Sequence, residues 1–229
     1  MIFKNLFGYE AKRKRLLKQV PAGALHDFLS VPFPDEKQFF VDTPILSVDF
    51  ETTGLNPKTD KLLSIGFVDL QSNRIPLKNS YHQIVRSKGL LKSDNVTIHQ
   101  ITDTEKDQGE PLRVVIEILL KALTGKVMLV HFARIEREFL QQACIKLYGV
   151  APVFPMIDTL MVAKKRLDAR DVPYDPSSLR LSALRSQYQL PEHHAHNALN
   201  DAIATAELLM AQVNARQKPN ETTLSDILL

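Results

Sequence analysis

Only one cysteine, Cys144, occurs in the 229 residues. That excludes an intrachain disulfide and any zinc site built on cysteines, and it points to a reducing, cytoplasmic setting. No apolar run approaches the ~20 residues that cross a bilayer, so no membrane association is expected. The first twenty residues place their basic cluster after the apolar residues, the reverse of a secretory leader. Internal repeats and low-complexity tracts are absent. Neither sign of charge dominates: 29 Lys and Arg against 26 Asp and Glu leave +3. That balance is compatible with a polyanionic partner without demanding one. A chain of this length buries one sizeable core with a small appendage.

Three segments are expected. Residues 1–40 read as a basic helical extension, in which Lys12, Arg13, Lys14, Arg15 and Lys18 crowd one short helix and Leu16, Leu17 and Val20 give it a partial apolar stripe. A second short helix, from Ala24 to Leu29, ends before Pro32 and Pro34. Residues 41–215 form the main domain and 216–229 a polar tail ending in Ile227-Leu228-Leu229. Within the main domain, Ile45–Glu51, Lys61–Leu70 and Arg74–Arg86 read as strands whose connections are too short for a crossover helix, hence an antiparallel meander. The period then changes. Leu112, Val115, Ile116, Leu119, Leu120 and Leu123 make a helical stripe. Val127–Val130 is a short strand before a helix carrying Ile135, Leu140, Cys144 and Leu147. Met156-Ile157 is a last strand before a helix from Thr159. Helices over Leu179–Tyr188 and Asn197–Val213 follow, and Val96–Ile101 reads as a helical turn. The class is α/β: a mixed sheet of three antiparallel strands plus parallel ones, flanked by helices.

Chemistry concentrates in three places. In VDFETTG, Asp49 and Glu51 are two apart on a strand and therefore share a face. Paired carboxylates at a stiff strand end suit a hard cation with oxygen ligands. With 26 acids, about three acid-x-acid pairs arise by chance, so this pair needs the other two places to carry meaning. The second is HFARIEREFL, His131–Leu140, where Glu136 falls in the first turns of a helix directly after a strand. The third is HAHNALNDA, His194–Ala202, with His196 and Asp201 five apart. On one helix those two would diverge by about 140°. A shared site therefore requires His196 to precede the helix, with Asn197 as its cap.

Together these segments resemble the three motifs of the DnaQ-like 3′–5′ exonucleases of the DEDDh branch, a family that includes the epsilon proofreading subunit of bacterial DNA polymerase III. The resemblance covers about Pro44 to Val213. Thr97–Thr102 is also similar to a family segment ending His-Gly-Ile-Thr, with Gln100 in place of the glycine. The second motif departs from the usual His-Asn-Ala-x-Phe-Asp: Phe132, Ile135 and Glu136 stand where Asn, Phe and Asp are usual.

The resemblance implies an RNase H-like five-stranded mixed sheet and two-metal phosphodiester hydrolysis with two Mg²⁺ or Mn²⁺. Asp49, Glu51, Glu136 and Asp201 would be the metal ligands and His196 the general base. Phe50, Thr52, Leu55 and His99 would lie near the terminal nucleotide. The implied partners are single-stranded nucleic acid 3′ ends, DNA in preference to RNA, and a DNA polymerase or other replication protein, since the chain itself carries no polymerase region. Two alternatives stay open: RNA 3′-end trimming, and a 3′-end-binding module that cuts slowly. The basic Lys12–Lys18 segment or the apolar C-terminal tail is a further place where a replication partner would be recruited.

Overall fold

A computed structural model describes residues 8–87, 101–169 and 173–229. Its centre is β1, Ile45–Thr52. Apolar side chains on one face and mostly small or acidic ones on the other leave this strand buried on both sides along most of its length. It pairs antiparallel with β2, Leu62–Leu70, over its whole length, from Ile45 opposite Leu70 to Thr52 opposite Leu62. β3, Tyr81–Ile84, extends the meander. On the other edge β4, Val127–Val130, runs parallel to β1, and β5, Met156–Asp158, runs parallel to β4. The order is β3-β2-β1-β4-β5, the mixed five-stranded sheet that the sequence implies.

β4 is in register with β1 only over Ile45–Ser47. From Val48 onward β1 projects past its parallel neighbour, and ligands of such sheets bind beyond strand ends of this kind.

Helices cover both faces. On one side lie α1, Tyr9–Leu17, and α2, Ala24–Ser30. There too are α4, Leu112–Leu123, and α5, Arg134–Tyr148. Leu25, Phe28 and Leu29 share an apolar cluster with Leu46, Val48 and Phe50 and with the buried stripe Val115, Ile116, Leu119 and Leu120. Arg13 is buried, donating to Glu10 and to the Leu29 carbonyl, which fixes α1 on the end of α2. On the other side α8, Ala198–Asn214, lies across β1 and β2. Its sheet-facing residues include Ala202, Ala206, Leu209 and Val213, and the alanines let the backbone come close.

Smaller elements complete the fold: α3, Asp103–Gln108; α6, Thr159–Asp168; α7, Leu181–Gln187; and α9, Leu224–Ile227. The capping box of Thr102 and Glu105 starts α3. That signal stands in the sequence beside the expected Val96–Ile101 turn, most of which lies outside the described residues.

Three expectations need correction. The third strand spans four residues, not Arg74–Arg86, because Pro76 has no N–H for the ladder and a 3₁₀ turn, Leu77–Asn79, intervenes. The helix expected from Leu179 starts at Leu181, after a 3₁₀ turn over Pro176–Leu179. The apolar C-terminus is not free for a partner along its length: Ile227 and Leu228 are buried with Phe40 and Ile157. Leu228 bridges to Ile157 on β5, and Leu224 N–H donates to the Gln38 carbonyl. Among the described residues, no helix is long and apolar enough to cross a membrane.

Candidate active site

The site gathers where β1 outruns β4. Asp49 and Glu51 project from the α8 side of β1, together with Ser47, whose hydroxyl donates to the Ala202 carbonyl at 2.6 Å. Asp49 lies opposite Gly66 on β2, and Gly66 lies opposite His82 on β3. The backbone of Ala198 and Leu199 lies so close over Gly66 that a Cβ there would approach it to less than 3.0 Å. The missing side chain thus seats the first turn of α8 on the sheet. Asn197 caps that turn, its side-chain oxygen accepting from Asn200 N–H at 3.1 Å.

Asp201, in the same turn, thereby reaches the strand pair: ligand oxygens of Asp49, Glu51 and Asp201 lie within 4.8 Å of one another. Both oxygens of Asp201 are held by the preceding loop. His193 Nε2 lies 2.9 Å from Oδ1, and the backbone N–H of His196 donates to Oδ2 at 2.8 Å. His196 has a positive φ of 65° and is exposed, and its backbone N–H orients Asp201.

Glu136 arrives from the opposite wall. The turn from β4 into α5 is clamped by Asp158 at the end of β5. Its carboxylate accepts from Phe132 N–H at 3.0 Å and Ala133 N–H at 2.9 Å, and it caps α6 through Leu160 N–H at 2.9 Å. Glu136 follows in the first turn, buried, and its Oε2 has no hydrogen-bond partner. Burial, opposed by its own backbone N–H and reinforced by Asp158 and Glu51, pushes its carboxyl up to about 8. Asp49 is raised well above the usual carboxylate range by burial and then by repulsion from Glu136, Asp201 and Glu51. Asp201 is raised by burial, with His193 pulling the other way.

Asp49, Glu51 and Asp201 are crowded at one strand end; Glu136 lies outside that group of ligand atoms but close enough to raise Asp49, and its Oε2 is an orphaned buried oxygen. Hard divalent ions with oxygen ligands, Mg²⁺ or Mn²⁺, match that chemistry, so the residues fit the implied metals.

The remaining predicted residues divide. Thr52 closes the turn after β1, its hydroxyl donating to the Gly54 carbonyl at 2.7 Å. Leu55 stands 69% exposed at the tip of that turn and lines an open cavity of about 850 Å³ with Lys58, Arg134 and Glu138. Phe50 is corrected: at 6% exposure it belongs to the core beneath α4 and α5, because the alternation that brings Asp49 and Glu51 to one face sends Phe50 to the other. His99 lies outside the described residues. His193 and His82 are the site residues that sequence reasoning passed over. His82 sits beside Glu51, which counters the lowering of its pKa by burial. The clue to it was register, which only strand pairing reveals.

A mixed sheet flanked by helices, with carboxylates gathered at the end of its central strand, is a candidate site for divalent cations. The sequence profile of the RNase_T family, described as "Exonuclease", matches residues 46–209; the chain belongs to this exonuclease family. It is 29% identical over 188 residues to the PolC-type DNA polymerase III of Thermotoga maritima, covering 82% of this chain and 13% of that protein. It is 22% identical over 184 residues to the DNA polymerase III subunit epsilon of Buchnera aphidicola, covering 76% of each. The chain thus spans about an eighth of the PolC-type relatives. In fold it is similar to the nuclease domain of 3′hExo, a DEDDh family member bound to rAMP, with TM-score 0.63, 18% identity, and 77% of this chain and 94% of that chain covered. Escherichia coli exonuclease I in complex with a dA16 oligonucleotide gives TM-score 0.64 and 18% identity, with 79% and 42% covered.

Proposed function

We propose that this protein is a metal-dependent 3′–5′ exonuclease that releases nucleoside monophosphates from single-stranded or frayed 3′ ends. The observation that carries this reading is the convergence of Asp49, Glu51 and Asp201 within 4.8 Å, with buried Glu136 acting on Asp49 from the opposite wall. Asp49, Glu51, Glu136 and Asp201 would hold two Mg²⁺ or Mn²⁺ ions. When bound, such ions lower the pKa of water and stabilise charge on the attacking and leaving oxygens of the phosphate.

The chain's own groups do the rest. His196 takes the proton of the attacking water as general base. The water oxygen bonds to phosphorus, and the bond to the 3′-oxygen of the preceding nucleotide breaks. His193 and the His196 N–H hold Asp201 in the loop's frame, so the loop that carries the base also orients an acid. In this reading Thr52, the last residue of β1, and exposed Leu55 lie beside the terminal nucleotide.

DNA is the favoured substrate, because the PolC-type and epsilon relatives are named as DNA polymerase components. A DNA polymerase or another replication protein is the corresponding partner. RNA trimming is the second reading, favoured by the rAMP-bound structural neighbour. Calorimetry with Mn²⁺ tests the metal assignment: the wild type is expected to bind and Asp49→Asn to lose at least one ion while keeping its circular dichroism. Absence of binding by the wild type up to millimolar Mn²⁺ would instead leave a non-catalytic binding module.

A further inference from the structure

Phe132 is at odds with its own backbone. Its φ is +70°, in the left-handed region that a bulky L-residue rarely adopts. Among the described residues the other non-glycine positions with positive φ are Ser72, Asn73, Gln189 and His196, all polar. Nor does burial explain the phenyl ring, which is 44% exposed. Asp158 enforces the conformation by accepting the N–H groups of Phe132 and Ala133 from its buried position. What this turn requires is a glycine or an asparagine. The ring contributes neither to the turn nor to the core, yet the Phe132 backbone is held by Asp158, whose charge acts on Glu136, and Glu136 in turn acts on Asp49. Strain held by surrounding structure, at the edge of a reactive site, points to use by a ligand.

We infer that Phe132 is a stacking platform for a nucleobase of the strand whose 3′ end enters the carboxylate cluster. The inference rests on the proposed exonuclease reading. The occupant follows from the surroundings. Acidic walls reject a free anion, whereas a base is neutral, flat and tethered to the phosphate that the site acts on. Every base presents a π-face, so the contact holds a strand without selecting its sequence.

Loss of one such stack weakens binding by about 5- to 150-fold. Phe132→Ala is expected to raise KM for a single-stranded oligonucleotide by that factor with kcat unchanged, the signature of an interaction made equally in ground and transition states. Phe132→Asn separates stacking from a structural role. It relieves the left-handed backbone and is expected to raise the melting temperature by about 2–4 °C while raising KM as the alanine variant does. A residue kept for stability would move the melting temperature the other way. The chain contains no tryptophan, so Phe132→Trp introduces a single indole whose emission is expected to be quenched by oligothymidylate. Substrates abasic at their last positions should lower wild-type affinity and have no further effect on Phe132→Ala. Wild-type KM in both Phe132→Ala and Phe132→Asn, or unquenched indole, would overturn the inference. A wild-type protein that hydrolyses no oligonucleotide would overturn the exonuclease reading instead.

Discussion

Gly66 sets the distance between two halves of the site. A methyl group there would lie within 3.0 Å of backbone atoms of Ala198 and Leu199, where ordinary contact begins at 3.4 Å. Neither neighbour is a flexible side-chain tip, so Gly66→Ala forces the first turn of α8 outward by a displacement on the order of an ångström. Overpacking of this kind costs about 1–3 kcal/mol in global stability. Its local effect is larger. Asp201 lies in that turn, and its ligand oxygen lies within 4.8 Å of those of Asp49 and Glu51. A shift of about 1 Å at a reacting centre lowers rate by about 10²-fold. Mn²⁺ titration by calorimetry, thermal melting of the metal-free protein and steady-state hydrolysis of an oligonucleotide read the three consequences separately. The expected result is a folded protein, modestly destabilised, with weaker Mn²⁺ binding and a kcat reduced by about two orders of magnitude. Wild-type metal affinity and kcat alongside a lowered melting temperature would show that Gly66 serves packing alone and would refute the reasoning.

Other consequences concern charge and protons. Glu136 keeps its proton up to about pH 8 in the folded state but loses it near 4.3 when unfolded. The metal-free protein therefore binds more protons folded than unfolded across that window, and its stability falls as pH rises from about 4 to 8, by at most a few kcal/mol. A melting temperature that is flat or rises between pH 5 and 8 without metal would contradict this. Glu136→Gln should flatten that slope and stabilise the metal-free protein at pH 8, yet weaken Mn²⁺ binding; unchanged calorimetry would remove Glu136 from the ligand set. His196→Ala should lower kcat by about 10²–10⁴-fold with the fold intact; an unchanged kcat would remove the base assignment. His193→Ala frees one oxygen of Asp201 from its 2.9 Å partner and should act on Mn²⁺ affinity with a smaller effect on kcat. A loss in kcat as large as that of His196→Ala would make His193 the base instead.

The strand ends of this molecule were readable before the fold was. The two-residue spacing of Asp49 and Glu51 and the cap at Asn197 ahead of Asp201 are local signals, and local geometry honours them. Phe50 shows the same alternation rule left unapplied: a residue between two site carboxylates on a strand faces away from them. What stayed hidden depends on pairing across the chain. Nothing near His82 or Gly66 in sequence says that they lie in one row with Asp49, because that row is made by register between three strands. The C-terminal Ile227 and Leu228 read as a loose apolar end, since only the exposed flank of β5 tells where they pack. The β4–α5 turn hid its strain for the same reason: Asp158, which enforces it, is 26 residues away from Phe132.

Asp49 and Glu51 on β1, with Asp201 and Glu136 brought to them, are expected to make this chain a 3′–5′ nuclease. The most direct test is incubation of matched 5′-labelled single-stranded DNA and RNA with the wild-type protein and Asp49→Asn, in Mg²⁺ and in Mn²⁺. The account predicts a descending ladder on DNA from the wild type and none from the variant. No ladder on either polymer with either metal, or an equal ladder from Asp49→Asn, would contradict it.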